Sequence, residues 1–253
     1  MYFNSKGLSI YYEKYGDKKE TMLILPGWGN TRNTFNNIIN FFKDNYTIYI
    51  IDYPGFGNSK IPKIELTIYD YTELIIAFMS KLKIKDPIII AHSFGGRIAN
   101  LLSSKYKIPI NKMILIDIAG IKPKKTLKQY LKTKLYKLLK KITSHLKNKE
   151  KYHKKLLNIF ASDDYKEIPK EMRNTFKNIV NEDLLPYFKN ITSECLLIWG
   201  KLDDATPLSD GQKINNLIKD SALIVYPKAR HFSYLEYPYL TNQIIYEFIK
   251  IKD

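Results

Sequence analysis

The stretch Pro87-Ile88-Ile89-Ile90-Ala91-His92-Ser93-Phe94-Gly95-Gly96 contains an apolar run, a serine among small residues and the start of a helix-like segment. A strand followed by a tight turn and a helix raises a central serine hydroxyl above a sheet. The helix N-terminus behind that serine offers free backbone N–H groups and the positive end of a dipole. The usual pattern is Gly-x-Ser-x-Gly, and here the small residue Ala91 stands at the first glycine. We therefore predict that Ser93 is a nucleophile.

Apolar runs that alternate with helical patterns extend outward from this stretch. Strands are predicted at 8–15, 21–25, 46–51, 87–92, 113–118, 196–199 and 222–226, and helices at 33–42, 67–83 and 235–249. Continuously apolar strands that alternate with helices indicate a parallel sheet covered on both faces. The fold class predicted is α/β with a mostly parallel central sheet, and its functional residues should follow the carboxyl ends of the strands.

Residues 122–185 interrupt this alternation and contain no strand-like run. Apolar residues recur there at helical spacing, at positions 127, 131, 135, 138, 142 and 146, with lysines on the opposite face. We predict a core formed by residues 1–121 and 186–253 and a lysine-rich helical cap formed by 122–185. The apolar stripe of the cap is expected to face the catalytic mouth, although its basic amphipathic pattern also permits peripheral membrane contact.

The composition is that of an ordinary globular protein, with 45% hydrophobic residues among 253. The net charge is +16, of which residues 122–181 contribute +13 through 18 Lys and Arg against 5 Asp and Glu. Only four basic residues are Arg, which argues against nucleic acid as a partner. The basic segment suits an anionic or carrier-linked substrate, and a merely solvated lysine face is the alternative.

Several classes of protein are excluded or disfavoured by the same sequence. The single cysteine, Cys195, excludes an internal disulfide and a cysteine-based zinc site, and it begins an apolar run in which a buried side chain is expected. No cofactor or metal is predicted, and the glycine pairs at 27/29 and 55/57 are not dinucleotide fingerprints because they lack the third glycine. The first residues do not form a signal sequence, and no apolar run approaches the ~20 residues that span a bilayer. We expect a cytoplasmic protein.

A serine nucleophile requires a base, and the base requires an acid that orients it. His231 follows the last predicted strand and precedes the last predicted helix, so it is the candidate base. The candidate acids are Asp203 and Asp204, just after the strand at 196–199, and Asp117 is a weaker alternative. Each of these residues is expected at the carboxyl edge of the sheet.

The oxyanion that develops during acyl transfer needs two backbone donors. The N–H of Phe94, directly after the nucleophile, is one of them. The second is expected from Trp28 in Pro26-Gly27-Trp28-Gly29, where glycines allow close backbone approach. The Trp28 side chain is also a candidate for packing beneath the cap.

In their order, these motifs resemble those of the α/β-hydrolase superfamily along essentially the full chain. That superfamily presents its triad in the order serine, acid, histidine. Its acid segment resembles Gly200-x-x-Asp203-x-x-x-Pro207, which favours Asp203 over Asp204. Two departures are visible, because Pro26 replaces the usual histidine of the oxyanion loop and Arg230 replaces the usual glycine before the catalytic histidine.

The resemblance implies a serine hydrolase that cleaves carboxylic esters of small molecules through an acyl-enzyme intermediate. The chain is similar to small carboxylesterases of the carrier-protein methyl-ester type. The implied triad is Ser93, Asp203 and His231, with the Trp28 and Phe94 N–H groups as the oxyanion hole. A thioesterase, a carbon–carbon hydrolase or lyase with the same triad, and a non-catalytic binding protein remain alternatives.

Overall fold

An eight-stranded sheet forms the centre of this computed structural model, which describes residues 1–123, 127–146, 148–160 and 168–250. The strands are β1 (Tyr2–Ser5), β2 (Leu8–Tyr15), β3 (Thr21–Leu25), β4 (Thr47–Asp52), β5 (Ile88–His92), β6 (Lys112–Ile116), β7 (Glu194–Gly200) and β8 (Ser221–Tyr226). They lie in the order β1-β2-β4-β3-β5-β6-β7-β8. The pairs β1–β2 and β2–β4 are antiparallel, and all pairs among β3 to β8 are parallel. The predicted fold class is confirmed.

Helices cover both faces of the sheet. In chain order they are α1 (Asn36–Phe42), α2 (Ile68–Lys81), α3 (Phe94–Ser104), α4 (Leu127–Thr143), α5 (Lys149–Phe160), α6 (Arg173–Asn181), α7 (Leu208–Leu217), α8 (Ser233–Glu236) and α9 (Pro238–Lys250). Successive strand residues point to opposite faces. Leu23 of β3 accordingly joins the core that contains Ile75 of α2, and its neighbour Ile24 joins the core that contains Ile39 of α1 and Ile245 of α9.

Some elements differ from the sequence prediction. The single predicted C-terminal helix is divided into α8 and α9, and Pro238 begins the second, where its missing N–H has no helical partner to lose. Strand β1 and helix α7 were not predicted. The start of α2 is strongly specified, because Thr67 and Asp70 form a reciprocal capping box there.

The segment between β6 and β7 has two parts with different burial. Helices α4 and α5 pack on each other, and the α4 side chains Leu131, Leu135, Leu138 and Ile142 are between 49% and 57% exposed. Farther along, Met172, Ile179 and Leu184 are buried. The expected contact of the α4 stripe with the catalytic mouth is therefore not seen for these four exposed side chains.

The predicted cap and core also include positions 124–126, 147, 161–167 and 251–253, which lie outside the described residues. Cys195 is buried and free, as expected. Within the part of the chain that is described, no helix has both the length and the apolar character required to cross a membrane.

Candidate active site

Ser93 lies in the turn between β5 and α3, with φ 48° and ψ −114°. Residues other than glycine rarely adopt a positive φ, so the surrounding structure must hold the Ser93 backbone in this conformation. The Ser93 N–H donates to the Ile116 carbonyl at 3.2 Å, and the Ser93 carbonyl accepts from Ala119 at 2.9 Å. A Cβ on Gly95 would lie 2.0 Å from the Leu25 carbonyl oxygen, so the backbone of the turn approaches β3 more closely than any larger residue would permit.

The three residues predicted as nucleophile, base and acid form one hydrogen-bonded chain. His231 Nε2 lies 3.0 Å from Ser93 Oγ, and His231 Nδ1 lies 2.8 Å from Asp203 Oδ2. Ser93 and His231 are 138 positions apart in sequence, and the carboxyl ends of β5, β7 and β8 bring the three residues together. The side chain of Asp203 is fully buried, whereas that of His231 is 19% exposed.

The hydrogen bonds around Asp203 favour its ionised form. Its Oδ1 accepts from the backbone N–H groups of Ala205 and Thr206 at 2.8 and 2.9 Å, and its Oδ2 lies 2.6 Å from the Thr206 hydroxyl. Burial alone would raise the pKa of Asp203, but the hydrogen bonds from His231 and Thr206 outweigh burial and hold this pKa below its ordinary value. The neighbouring candidate Asp204 is exposed.

Two backbone N–H groups beside Ser93 are available to a ligand. Among the described residues, neither the Phe94 N–H nor the Trp28 N–H has a hydrogen-bond acceptor. The tight packing of Gly95 against Leu25 and Pro26 places the β3 loop next to the serine turn. The Pro26 departure removes only its own donor, because Trp28 and Phe94 each retain an N–H.

Aromatic side chains line this region. The Trp28 ring contacts Phe94 at a centroid distance of 5.4 Å, Phe56 at 4.7 Å and Phe176 of α6 at 5.2 Å. Phe176 belongs to the segment between β6 and β7, so that segment reaches the loop that contains Trp28. This contact is the kind that the alternative role of Trp28, packing against residues of 122–185, requires.

Asp117, the weaker candidate acid, has a different set of partners. Its carboxylate accepts from the Gly200 N–H at 2.8 Å and from the Ser233 hydroxyl and N–H at 2.5 and 3.1 Å. Burial raises the pKa of Asp117 to about 7, although its hydrogen bonds from Ser233 and Gly200 oppose the shift. Asp117 thus ties the ends of β6 and β7 to the start of α8, directly after His231.

His92 has a role that sequence reasoning missed. Its ring is fully buried, and its Nε2 donates to the His231 carbonyl at 2.8 Å. Burial first, and the neighbouring His231 second, lower the pKa of His92 to about 3, so the ring is neutral at physiological pH. The only signal in the sequence was its position directly before Ser93 at the end of an apolar strand.

The departure at Arg230 leaves the histidine loop intact. Arg230 is exposed, and its backbone N–H donates to Glu236 Oε1 at 2.8 Å. No group of three or more His, Cys, Asp or Glu side chains within the described ranges is arranged to hold a metal ion.

The fold and the strand-end site define the class of protein. Residues 20–238 match the model of the family described as the alpha/beta hydrolase fold. The chain belongs to this family and is a hydrolase.

Curated relatives in this family have different chemistries. One, at 29% identity, is the pimeloyl-acyl-carrier-protein methyl ester esterase of Wigglesworthia glossinidia brevipalpis, with 95% of this chain and 98% of the relative aligned. Another, at 24% identity, is 2-hydroxy-6-oxononadienedioate/2-hydroxy-6-oxononatrienedioate hydrolase 1 of Pseudomonas putida, with 96% and 92% aligned. Among solved structures, the enol-lactonase of Burkholderia xenovorans LB400 shares the fold with a TM-score of 0.77 at 18% identity, covering 99% of this chain and 100% of the lactonase.

Proposed function

We propose that the protein is a serine hydrolase that cleaves carboxylic esters of small molecules through an acyl-enzyme intermediate. The observation that carries this proposal is the continuous hydrogen-bonded chain from Asp203 through both nitrogens of His231 to Ser93 Oγ. The strained turn under Ser93 and the two available N–H groups beside it supply the other parts that ester cleavage requires.

In the first half of the reaction, Ser93 Oγ attacks the ester carbonyl while His231 Nε2 accepts the hydroxyl proton. The proton moves along the 3.0 Å contact between these atoms. Asp203 keeps the remaining His231 proton on Nδ1 and stabilises the imidazolium, and its lowered pKa keeps the carboxylate ionised for this task. The alkoxide of the leaving alcohol then takes the proton from His231, and the acyl group stays on Ser93.

In the second half, His231 removes a proton from water, and the resulting hydroxide attacks the acyl-Ser93 carbonyl. The carbon–oxygen bond to Ser93 breaks, Ser93 Oγ recovers its proton from His231, and the carboxylic acid leaves. In both halves the negative oxygen of the tetrahedral intermediate accepts hydrogen bonds from the Trp28 and Phe94 N–H groups. One hydrogen-bonded set therefore serves both acyl transfer steps.

The segment 122–185 would act as a cap on this site. Its buried part contacts the core at several points: Thr175 Oγ1 accepts from the Leu66 N–H at 3.0 Å, the Leu184 N–H donates to the Gly120 carbonyl at 2.9 Å, and the Phe176 ring meets that of Trp28. We infer that the apolar part of the substrate lies against the aromatic group of Trp28 and Phe176. Small or moderately long aliphatic esters suit such a wall better than charged acyl groups.

The test combines covalent labelling with kinetics on a series of p-nitrophenyl esters from acetate to decanoate. The wild-type protein should react with a fluorophosphonate at Ser93 and hydrolyse the esters. Ser93→Ala should lose labelling and lower kcat/KM by about 10³-fold or more. Phe176→Ala should raise KM for the longer esters while leaving acetate hydrolysis nearly unchanged. Labelling at another residue, or full activity of Ser93→Ala, would contradict the mechanism.

The chemistry of the Pseudomonas putida relative motivates a second candidate, hydrolysis of a carbon–carbon bond. The same triad could serve it, so substrate profiling separates the two. A wild-type protein that cleaves vinylogous diketones at least as fast as simple esters favours the second candidate. Acyl thioesters, run at matched chain length, address the thioesterase alternative. A protein that acts on none of these substrates and is not labelled at Ser93 would be a binding protein.

A further inference from the structure

Helix α4 exposes an apolar stripe of four side chains. Leu131, Leu135, Leu138 and Ile142 are 56%, 49%, 56% and 57% exposed. Their three- and four-residue spacing aligns them on one side of the helix over about 17 Å. The half-buried positions 133, 136, 139 and 143 recur about a third of a turn away, and α4 packs on α5. The exposed stripe is therefore separate from the half-buried side of the helix.

Positive charge surrounds this stripe. The sequence of α4 contains six lysines and no acidic residue. Helical spacing puts Lys132 and Lys141 roughly a quarter turn to either side of the stripe, and both are exposed. Lys137 and Lys141 are four positions apart, so these like charges repel each other on the helix surface. An anionic surface would relieve this repulsion while it covers the leucines.

We propose that this face of α4 docks on an anionic lipid bilayer. The four aliphatic side chains enter the boundary between headgroups and acyl chains, and the flanking lysines extend their stems so that the ammonium groups meet lipid phosphates. The helix lies in the plane of the interface and does not cross it. This docking is independent of the proposed ester chemistry, because neither Ser93 nor its partners take part in it.

The composition of the face favours a bilayer over two other occupants. Protein interfaces are enriched in Trp, Tyr and Arg and depleted in Lys, whereas this face consists of Leu, Ile and Lys. A second copy of the chain would bring together two segments that each carry a net charge of +13 over residues 122–181. Lipid phosphates neutralise such charge, and fluid acyl chains accept an aliphatic stripe without a matching pocket.

Sedimentation with sucrose-loaded vesicles tests the proposal on the full-length protein. Vesicles of phosphatidylcholine with about 30 mol% phosphatidylglycerol should bind the protein, and pure phosphatidylcholine vesicles should bind it roughly tenfold more weakly or worse. Added salt should weaken binding to the anionic vesicles steeply. Leu135→Gln/Leu138→Gln should lower the partition coefficient about tenfold or more, because each change removes an aliphatic side chain that enters the bilayer.

Matched control variants distinguish binding through this face of α4 from nonspecific apolar or electrostatic binding elsewhere on the protein. Ile61→Gln/Ile64→Gln removes two exposed aliphatic side chains elsewhere, and it should leave binding unchanged. Lys132→Gln/Lys141→Gln should weaken binding to anionic vesicles by about tenfold, whereas Lys18→Gln/Lys19→Gln, with the same charge change before β3, should have little effect. All of these positions are exposed, and circular dichroism confirms that each variant folds.

Four results would overturn the proposal. One is absence of wild-type binding to the anionic vesicles. Another is vesicle binding that the Ile61/Ile64 pair weakens as much as the Leu135/Leu138 pair. The third is concentration-dependent self-association that Leu135→Gln/Leu138→Gln abolishes, measured by light scattering without lipid, because it would assign the face to a second copy. Tight binding of purified acyl-carrier protein with no binding to vesicles would likewise replace the bilayer with an acidic protein.

Discussion

The strained backbone at Ser93 should lower the free energy of unfolding, and a glycine at this position should recover part of that loss. Ser93 has φ 48° and ψ −114°, a conformation that is unfavourable for a residue with a Cβ by about 1–3 kcal/mol. Alanine keeps the Cβ and therefore the strain. Glycine relieves the strain, but it increases the conformational entropy of the unfolded chain, which lowers the stability by about 0.5–1 kcal/mol. The difference between these two ranges centres on about 1 kcal/mol, so Ser93→Gly should be about 1 kcal/mol more stable than Ser93→Ala.

Comparing these two variants isolates the backbone, because both lose the hydroxyl and its contact with His231. For a chain of this size, 1 kcal/mol corresponds to about 2–4 °C, so Ser93→Gly should melt about 2–4 °C above Ser93→Ala. Scanning calorimetry and urea titration measure the difference. Ester hydrolysis should be lost in both variants alike, which separates the stability effect from catalysis.

A control in an ordinary helix should show the opposite sign. Ser80 is an exposed residue of α2, so Ser80→Gly should be about 0.5–1 kcal/mol less stable than Ser80→Ala. If Ser93→Gly melts at or below Ser93→Ala while the Ser80 pair behaves as expected, strain is not stored in the turn.

Three further changes probe the surroundings of the triad. Thr206→Val removes the hydroxyl beside Asp203 Oδ2, so kcat should fall about tenfold, and Thr206→Ser should restore it. Equal kcat values for the valine and serine variants would show that the Thr206 hydroxyl does not position the acid. Asp117 keeps a proton in the native state that the unfolded chain releases between about pH 4 and 7, so its contribution to stability falls as pH rises through that window. Urea titrations at pH 5 and 8 should show a fall in the wild type that exceeds that of Asp117→Asn by about 2–3 kcal/mol, and parallel curves would contradict the assignment. Gly96→Ala places a Cβ 2.3 Å from Ile118 Cβ and should lower the free energy of unfolding by about 1–3 kcal/mol, a loss that Gly96→Ala/Ile118→Ala should partly reverse in the same titration.

The elements around the serine turn were predictable because their signals are local. The apolar run before Ser93 and the small residues after it specify a strand, a turn and a helix within about a dozen positions. The prediction missed α7 and β1. Helix α7 mixes polar and apolar residues, and β1 is a four-residue edge strand that pairs only with β2. Such elements depend on their neighbours more than on their own residues.

The acid was identified through family resemblance, because residue types alone left Asp203, Asp204 and Asp117 open. In the structure these three carboxylates have distinct surroundings. Asp203 contacts His231, Asp117 is buried between the ends of three elements, and Asp204 is exposed. The sequence around an aspartate at the end of a strand does not distinguish between these three surroundings. The direction of the carboxylate is set by the turn that follows and by the loops that pack on it.

The exposure of the α4 stripe was equally beyond the sequence. Helical periodicity revealed an apolar face, and the natural expectation was that this face covers the site. Only the packing of α4 on α5 decides which side of the helix is covered, and it leaves Leu131, Leu135, Leu138 and Ile142 exposed. Periodicity predicts that a face exists, whereas contact with a specific neighbour determines what lies against it.

By itself, the sequence determined a parallel α/β sheet, the serine turn and the order of the candidate catalytic residues along the chain. Short-range apolar patterns and glycines at close backbone approaches encode these features directly. The tertiary structure was needed to show that His92 and Asp117 support the His231 loop, and that the apolar stripe of α4 is exposed. The contacts of the His231 loop join residues as many as 139 positions apart, which the pairing of the strands brings together, whereas the exposure of the stripe depends on the packing of α4 on α5.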